Sequence, residues 1–398
     1  MKFKALTSLL FSVLGIGLIQ KAWSFEEETH ERITQRAFDR SVLGKGYLRN
    51  QLGIGLDQTF NGWRADRWLV YGSNQEDNKY DFPVTLFRFR NHFFDPINQS
   101  GLNYGLITGA PAPDWALQDS LTQDYSWQNA REYFFLGLTA SDPATRETNM
   151  AKTFRALGQV IHVIQDMGSP EHTRNDPHAG ILEPLGFPFG APSLFEGYKR
   201  ILGDNFIYDK YGVPSFPNTR DYWRDGNGKG LAEYTNRNFI SKSTNFTLTQ
   251  EGNTGVGYAL PTLSIQPGWS EVKFFHELFP GTPVTSDKVT FFFNSMEDPA
   301  NLGPTELNTR MTAYSYFDQD LREVFETERF SINESTVKAA AEFLVPRATS
   351  YSTGLINHFF RGRLRAELRH VEGVPVSYPP FYYAEPPYSV KLQTASSS

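Results

Sequence analysis

The stretch NMAKTFRALGQVIHVIQDMGSPEH, residues 149 to 172, decides how the rest of the chain is read. Met150, Phe154, Leu157, Ile161 and Ile164 recur at spacings of three and four, the period of one helix face. This predicts a helix from Asn149 to Met167, stopped by Gly168 and Pro170. His162 and Asp166 lie four residues apart on it and so project from the same face. An imidazole and a carboxylate on an otherwise apolar face are costly to bury unless a cation holds them together, so the pair points to a metal ion. His172 follows on the turn after the helix.

Working outward, THERITQRAFDR (Thr29 to Arg40) places Ile33, Ala37 and Phe38 on one face, with Thr29 as the expected N-cap. Helices are also expected over 126 to 146 and 306 to 329, and over 334 to 369 with a break at Pro346. Residues 205 to 290 are rich in Gly, Asn, Thr, Pro and aromatics without sustained period, which predicts a loop-rich insertion with room for a hairpin. The tail, 370 to 398, is Pro- and Tyr-rich beyond Gly373 and reads as irregular. No internal repeat is detectable. The expected fold class is all-α: one domain over 25 to 369, large enough to bury a core without staples.

Composition narrows the chemistry. The hydrophobic, aromatic and charged fractions, 39%, 15% and 21%, are those of a globular protein and exclude a disordered one. With no cysteine the chain has no disulfides and no thiolate ligands, so a metal site must be built from His, Asp, Glu and backbone groups. Residues 1 to 24 read as a secretory signal: Lys2 and Lys4 precede the apolar run Ala5 to Ile19, and Ala22-Trp23-Ser24 offers small residues for cleavage. The run is short for a membrane anchor, which favours a secreted or periplasmic mature chain. Three lysines leave with that segment, so 44 acidic residues give the mature chain a formal charge of −9.

Five of the eight histidines, His30, His92, His162, His172 and His178, precede residue 180 in stretches that also hold acids. His276, His358 and His370 read as ordinary core or surface groups. The run LGQVIHVIQDMGSPEH (157 to 172) resembles the central motif of the zinc-dependent phospholipase C and single-strand nuclease superfamily, in which His, the Asp four on and the His six further on are metal ligands. GSNQEDNKYD followed by RNHFFDP resembles that family's paired Asp and His, here Asp77 and His92, and Phe25 to His30 resembles its mature start.

The resemblance implies a phospholipase C/nuclease-like helical bundle holding up to three zinc ions. One ion would take Asp77, His92, His162 and Asp166. Asp166 would bridge to a second, held by His30 and by the amine and carbonyl of Phe25, which cleavage after Ser24 would free. A third would take His172; by resemblance its partners are a His and an acid, for which this chain offers His178 and Glu196, with Glu183 competing. The family pattern has His four residues before the acid, and here Pro192 stands there. Such a centre implies phosphodiester hydrolysis by a metal-activated hydroxide, with Asp77 and Asp166 as catalytic groups and Asp77 orienting or deprotonating the nucleophile. Manganese or iron also suits nitrogen and oxygen ligands.

Two substrate classes follow. A phospholipase would use a membrane surface, and Tyr351 to Arg369 pairs Leu355, Ile356, Phe359, Phe360 and Leu364 with four arginines, as an interfacial helix or one docked on the core. A nuclease would stack bases on aromatics such as Trp63, Trp68, Tyr71 and Phe94, although the negative charge opposes a long polyanion. The favoured reading is phospholipase C-type release of phospholipid headgroups. A single-strand-specific nuclease or nucleotidase and a non-catalytic exported zinc-binding protein are the alternatives, and no protein partner is indicated.

Overall fold

The computed structural model describes residues 27–55, 57–77, 85–104, 107–176, 195, 206–241, 263–265, 291–294, 296–303, 309–314, 330–332, 334–361, 364–370 and 388–394. It is mainly α-helical. The described helices are α1 (Glu27–Arg40), α2 (Tyr47–Leu52), α3 (Ala65–Gln75), α4 (Ala112–Leu117), α5 (Trp127–Thr139), α6 (Pro143–Asp166), α7 (Pro170–Thr173), α8 (Leu231–Asn238) and α9 (Glu334–Phe359). None of them is long and apolar enough to cross a membrane.

The helix expected over Asn149 to Met167 is α6, which starts earlier. Asp142 caps it, its carboxylate accepting from the backbone N–H of Thr145 at 2.7 Å, and Pro143 occupies the first turn, where no amide hydrogen is needed. The same Asp-Pro pair divides the single helix expected over 126 to 146 into α5 and α6, because proline disfavours helical backbone at the residue before it. From Ala156 to Asp166 every residue of α6 is buried, so its last three turns have no solvent face, whereas its first turns are open to solvent. α3, α5, α1, α9 and α4 pack around it. Each of Leu157, Ile161 and Ile164, at 0% exposure, contributes roughly 1.5–3 kcal/mol by leaving water.

Other expectations change. α1 begins two residues before Thr29, which is buried within its first turn, while Glu28 pairs with Arg32 at 2.6 Å on the open side. Residues 309 to 314 form a strand and not part of a helix: Thr309–Tyr314 pairs antiparallel with Phe291–Asn294 and Phe330–Ser331. Long-range pairing, invisible in local period, decides that segment, and 315 to 329 lie outside the described residues. The loop-rich insertion contains α8, where Glu233 reaches back to the Gly230 N–H at 3.0 Å, as well as a 3-10 turn at Thr219–Tyr222 and a strand at Leu263–Ile265. Pro346 does not break α9, because Val345 and Arg347 on either side are buried and Arg347 is clamped by Asp298 at 2.8 and 2.7 Å.

α9 ends at Phe359, and Leu364–His370 is a strand paired with Tyr388–Thr394, so the tail is not wholly irregular. This also removes the interfacial helix over Tyr351 to Arg369. Leu355, Ile356 and Phe360 are core residues, and Phe359 packs on that core.

Candidate metal centre

Four segments converge near the C-terminal end of α6. That helix supplies His162 and Asp166, α1 supplies His30, Asp77 follows α3, and His92 follows the 3-10 turn Thr85–Asn91. All five side chains are buried.

The geometry starts with two glycines. A Cβ on Gly158 would sit 2.1 Å from the Leu69 carbonyl oxygen, and one on Gly72 would sit 2.0 Å from that of Arg155. Only a Gly72–Gly158 crossing lets the α3 and α6 backbones meet this closely. The approach brings the Ser73 carbonyl oxygen 2.7 Å from His162 Nδ1. A carbonyl only accepts, so Nδ1 carries the proton and Nε2 presents its lone pair inward. Nε2 lies 3.2 Å from Asp77 Oδ2 and 3.4 Å from Asp166 Oδ2.

His92 faces the same point from the other side, with Nδ1 3.0 Å from Asp166 Oδ2 and 3.4 Å from Asp77 Oδ1. His30 stacks on His162, ring centroids 3.8 Å apart and 17° from parallel, with Nε2 3.5 Å from Asp166 Oδ1. Asp166 therefore divides its oxygens, Oδ1 toward His30 and Oδ2 toward His92 and His162. Ligand atoms of His30, Asp77 and His162 lie within 4.8 Å of one another, as do those of His92, His162 and Asp166.

These separations fit a cation. Ligands at the zinc distance of 2.0–2.1 Å in a tetrahedron stand about 3.3 Å apart. Both Asp77 oxygens and His162 Nε2 are buried without a hydrogen bond, although opposite partners are close. Atoms aimed at a shared point, and not at each other, produce this pattern. The donors are all nitrogen and oxygen, which suits zinc.

Electrostatics agree. Burial disfavours charge on His162, yet Asp77 and then Asp166 raise its pKa well above the ordinary value. Against the same burial, hydrogen bonds to Asp166 and Glu76 lift His92 to about 9. Burial opposes the charges of Asp77 and Asp166, but His162 holds both below the usual carboxylate range. His30 falls to about 3 through burial and the neighbouring His162. The two carboxylates require positive charge, which protons on His92 and His162, or a divalent cation in their place, can supply.

Behind the inner residues stand groups that sequence reading missed. Glu76 Oε1 lies 3.4 Å from His92 Nε2 and accepts from Trp115 Nε1 at 2.7 Å, while Oε2 accepts from Arg88 at 2.5 Å. Burial opposes the Glu76 charge, but Arg88 and then His92 hold its pKa down to about 2. Gln165 Oε1 lies 2.6 Å from His30 Nδ1. Adjacency to Asp77 and Asp166 in the quoted motifs was the available signal for both residues.

His172 lies behind His92, its Nδ1 2.9 Å from the His92 carbonyl and its ring stacked on Phe93 at 4.4 Å. It belongs to neither close ligand group. Phe25, His178, Glu183 and Glu196 lie outside the described residues, as does residues 1 to 24, so the third ion's expected set is represented by His172 alone. Phe94 is core, whereas Trp63, Trp68 and Tyr71 cluster on one another with Trp63 45% exposed. The chain matches no protein-family model and no curated protein.

Proposed function

We propose that the protein is an exported zinc-dependent phosphoester hydrolase with a phospholipase C/nuclease-like bundle, cleaving headgroups from phospholipids. The division of the Asp166 oxygens between His30 and the His92–His162 pair, beside Asp77, carries this reading, because a carboxylate placed so can bridge two cations. His30, Asp77, His92, His162 and Asp166 would hold the metal, with Phe25 completing the His30 side and His172, His178 and Glu196 or Glu183 a third ion. Bound zinc supplies an acidified water near neutral pH and charge stabilisation on phosphoryl oxygens.

The chain's own residues do the rest. Ser73 and Glu76 fix the rings of His162 and His92, and burial keeps the field of the two carboxylates strong. Asp77 Oδ1, which makes no hydrogen bond, can take the proton of an attacking water.

One observation favours the nuclease alternative: Trp63, Trp68 and Tyr71 form an aromatic patch with the Arg155 guanidinium 5.4 Å above Tyr71, a combination suited to a base and its phosphate. The experiment measures zinc per mature chain, identifies the N-terminal residue by mass spectrometry, and assays phospholipid headgroup release beside degradation of single-stranded oligonucleotides. At least two zinc ions with headgroup release supports the proposal. Oligonucleotide cleavage alone transfers it to the nuclease, a loaded but inert protein makes it a zinc-binding protein, and a chain that takes up no metal overturns it.

A further inference from the structure

The two imidazoles that stack in the centre, His30 and His162, are joined a second time behind the ligand atoms. His30 Nδ1 meets Gln165 Oε1 at 2.6 Å, Gln165 Nε2 donates to Thr34 Oγ1 at 2.9 Å, and Thr34 donates to Ser73 Oγ at 2.9 Å. Ser73 is the residue whose carbonyl accepts from His162 Nδ1 at 2.7 Å. His30, Thr34, Ser73 and Gln165 are each 0% exposed, so no water can substitute for a missing partner.

The direction of the relay follows from its chemistry. Thr34 has one hydroxyl hydrogen and spends it on Ser73, so toward Gln165 it can only accept. The Gln165 amide must therefore turn its NH2 to Thr34 and its oxygen to His30. That oxygen obliges His30 Nδ1 to carry the proton, which leaves the Nε2 lone pair facing Asp166 Oδ1. Thr34, one helical turn after His30 on α1, thus sets the tautomer of His30 through an amide on α6, and α3 anchors the far end. Helices α1, α3 and α6 are fastened to one another by the same bonds.

We propose that Gln165 and Thr34 are positioning residues that lock His30 as a nitrogen ligand and tie its half of the centre to the His162 half, so that the two ion positions fill as one unit. This rests on the metal-centre reading above. Neither residue touches substrate or ion; both act through His30.

The test is titration of metal-free full-length mature protein with cobalt(II), followed by its visible absorption and checked by elemental analysis. Wild type is expected to load two ions in one steep transition. Gln165→Met, which keeps the volume and removes both hydrogen bonds, is expected to split the titration, the weaker step displaced by about 10–100-fold. Thr34→Val should weaken the same step less, because Gln165 can still accept from His30. Gln165→Glu, which restores the acceptor toward His30, should recover much of the loss, a rescue that a purely structural role would not show. Hydrogen exchange of metal-free variants verifies that they are folded. A wild type that binds no cobalt rejects the metal centre itself. A wild type that loads two ions beside a folded Gln165→Met variant with an unchanged curve overturns the coupling and leaves the centre standing, as does a Gln165→Glu variant no better than Gln165→Met.

Discussion

Glu76 and Asp77 are consecutive, both are buried, and the structure treats them in opposite ways. Glu76 is saturated: Arg88 and Trp115 occupy its oxygens, and Gln159 and Gln123 share the same guanidinium at 2.9 and 3.2 Å. Asp77 has His92 and His162 within 3.4 Å and a hydrogen bond on neither oxygen. A buried carboxylate that is fully paired serves as support, since nothing is left over to bind with. One whose neighbours converge without pairing keeps its lone pairs for a guest. On the proposed metal-centre reading, supporting and binding carboxylates thus stand one residue apart.

The comparison can be broken by substitution. On the proposed function, replacing His162 or Asp166 with Ala should abolish zinc uptake and cost several kcal/mol of transition-state stabilisation, about 10²–10³-fold or more in phosphodiesterase rate. Full activity with full metal content in either variant would end the assignment. Glu76→Gln should act mainly on folding, because it leaves the buried Arg88 charge without its counterion, a loss of about 3–5 kcal/mol measurable by denaturant unfolding. Asp77→Asn should show the reverse profile, with weakened metal binding and a smaller loss of stability in the metal-free chain.

Gly158→Ala tests how the two halves are held. The added methyl meets the Leu69 carbonyl, so about 1–3 kcal/mol of overpacking is expected. The Ser73 carbonyl should also withdraw from His162, and metal affinity should fall although no ligand is changed. The smallest effect concerns His358, a half-buried titratable group of a third kind, kept neutral: partial burial, then Arg361 and Arg131, lowers its pKa to about 4. A group depressed in the folded state contributes stability that is present above its unfolded pKa and lost as pH falls through the folded one. The difference in unfolding midpoint between wild type and His358→Gln should therefore be constant above about 6.5 and change between there and about 4.

Much of the inner site was legible because its residues are tied to local pattern. His162 and Asp166 stand four apart on a helix, and Asp77 and His92 sit in recognisable runs. The supporting residues were not, since Gln165, Thr34 and Ser73 are chemically ordinary and acquire a role only when three helices meet. The helical content was readable wherever one period persisted. It failed at Thr309–Tyr314, where pairing with Phe291–Asn294 decides the backbone, and at Pro346, where packing on both sides overrides a residue that breaks exposed helices. Pro143 is visible in the sequence, and its effect on Asp142 is the local rule that separates α5 from α6.

The enclosure of α6 also sets a clock. His162 and Asp166 are carried by backbone that neither frays at an exposed face nor borders solvent along its last three turns. Their amide hydrogens should be among the slowest in the molecule to exchange, opening only when the whole domain does. A cation held there would leave through its inner coordination sphere or with global unfolding, so the residence time of the metal would report on the kinetic persistence of the fold itself.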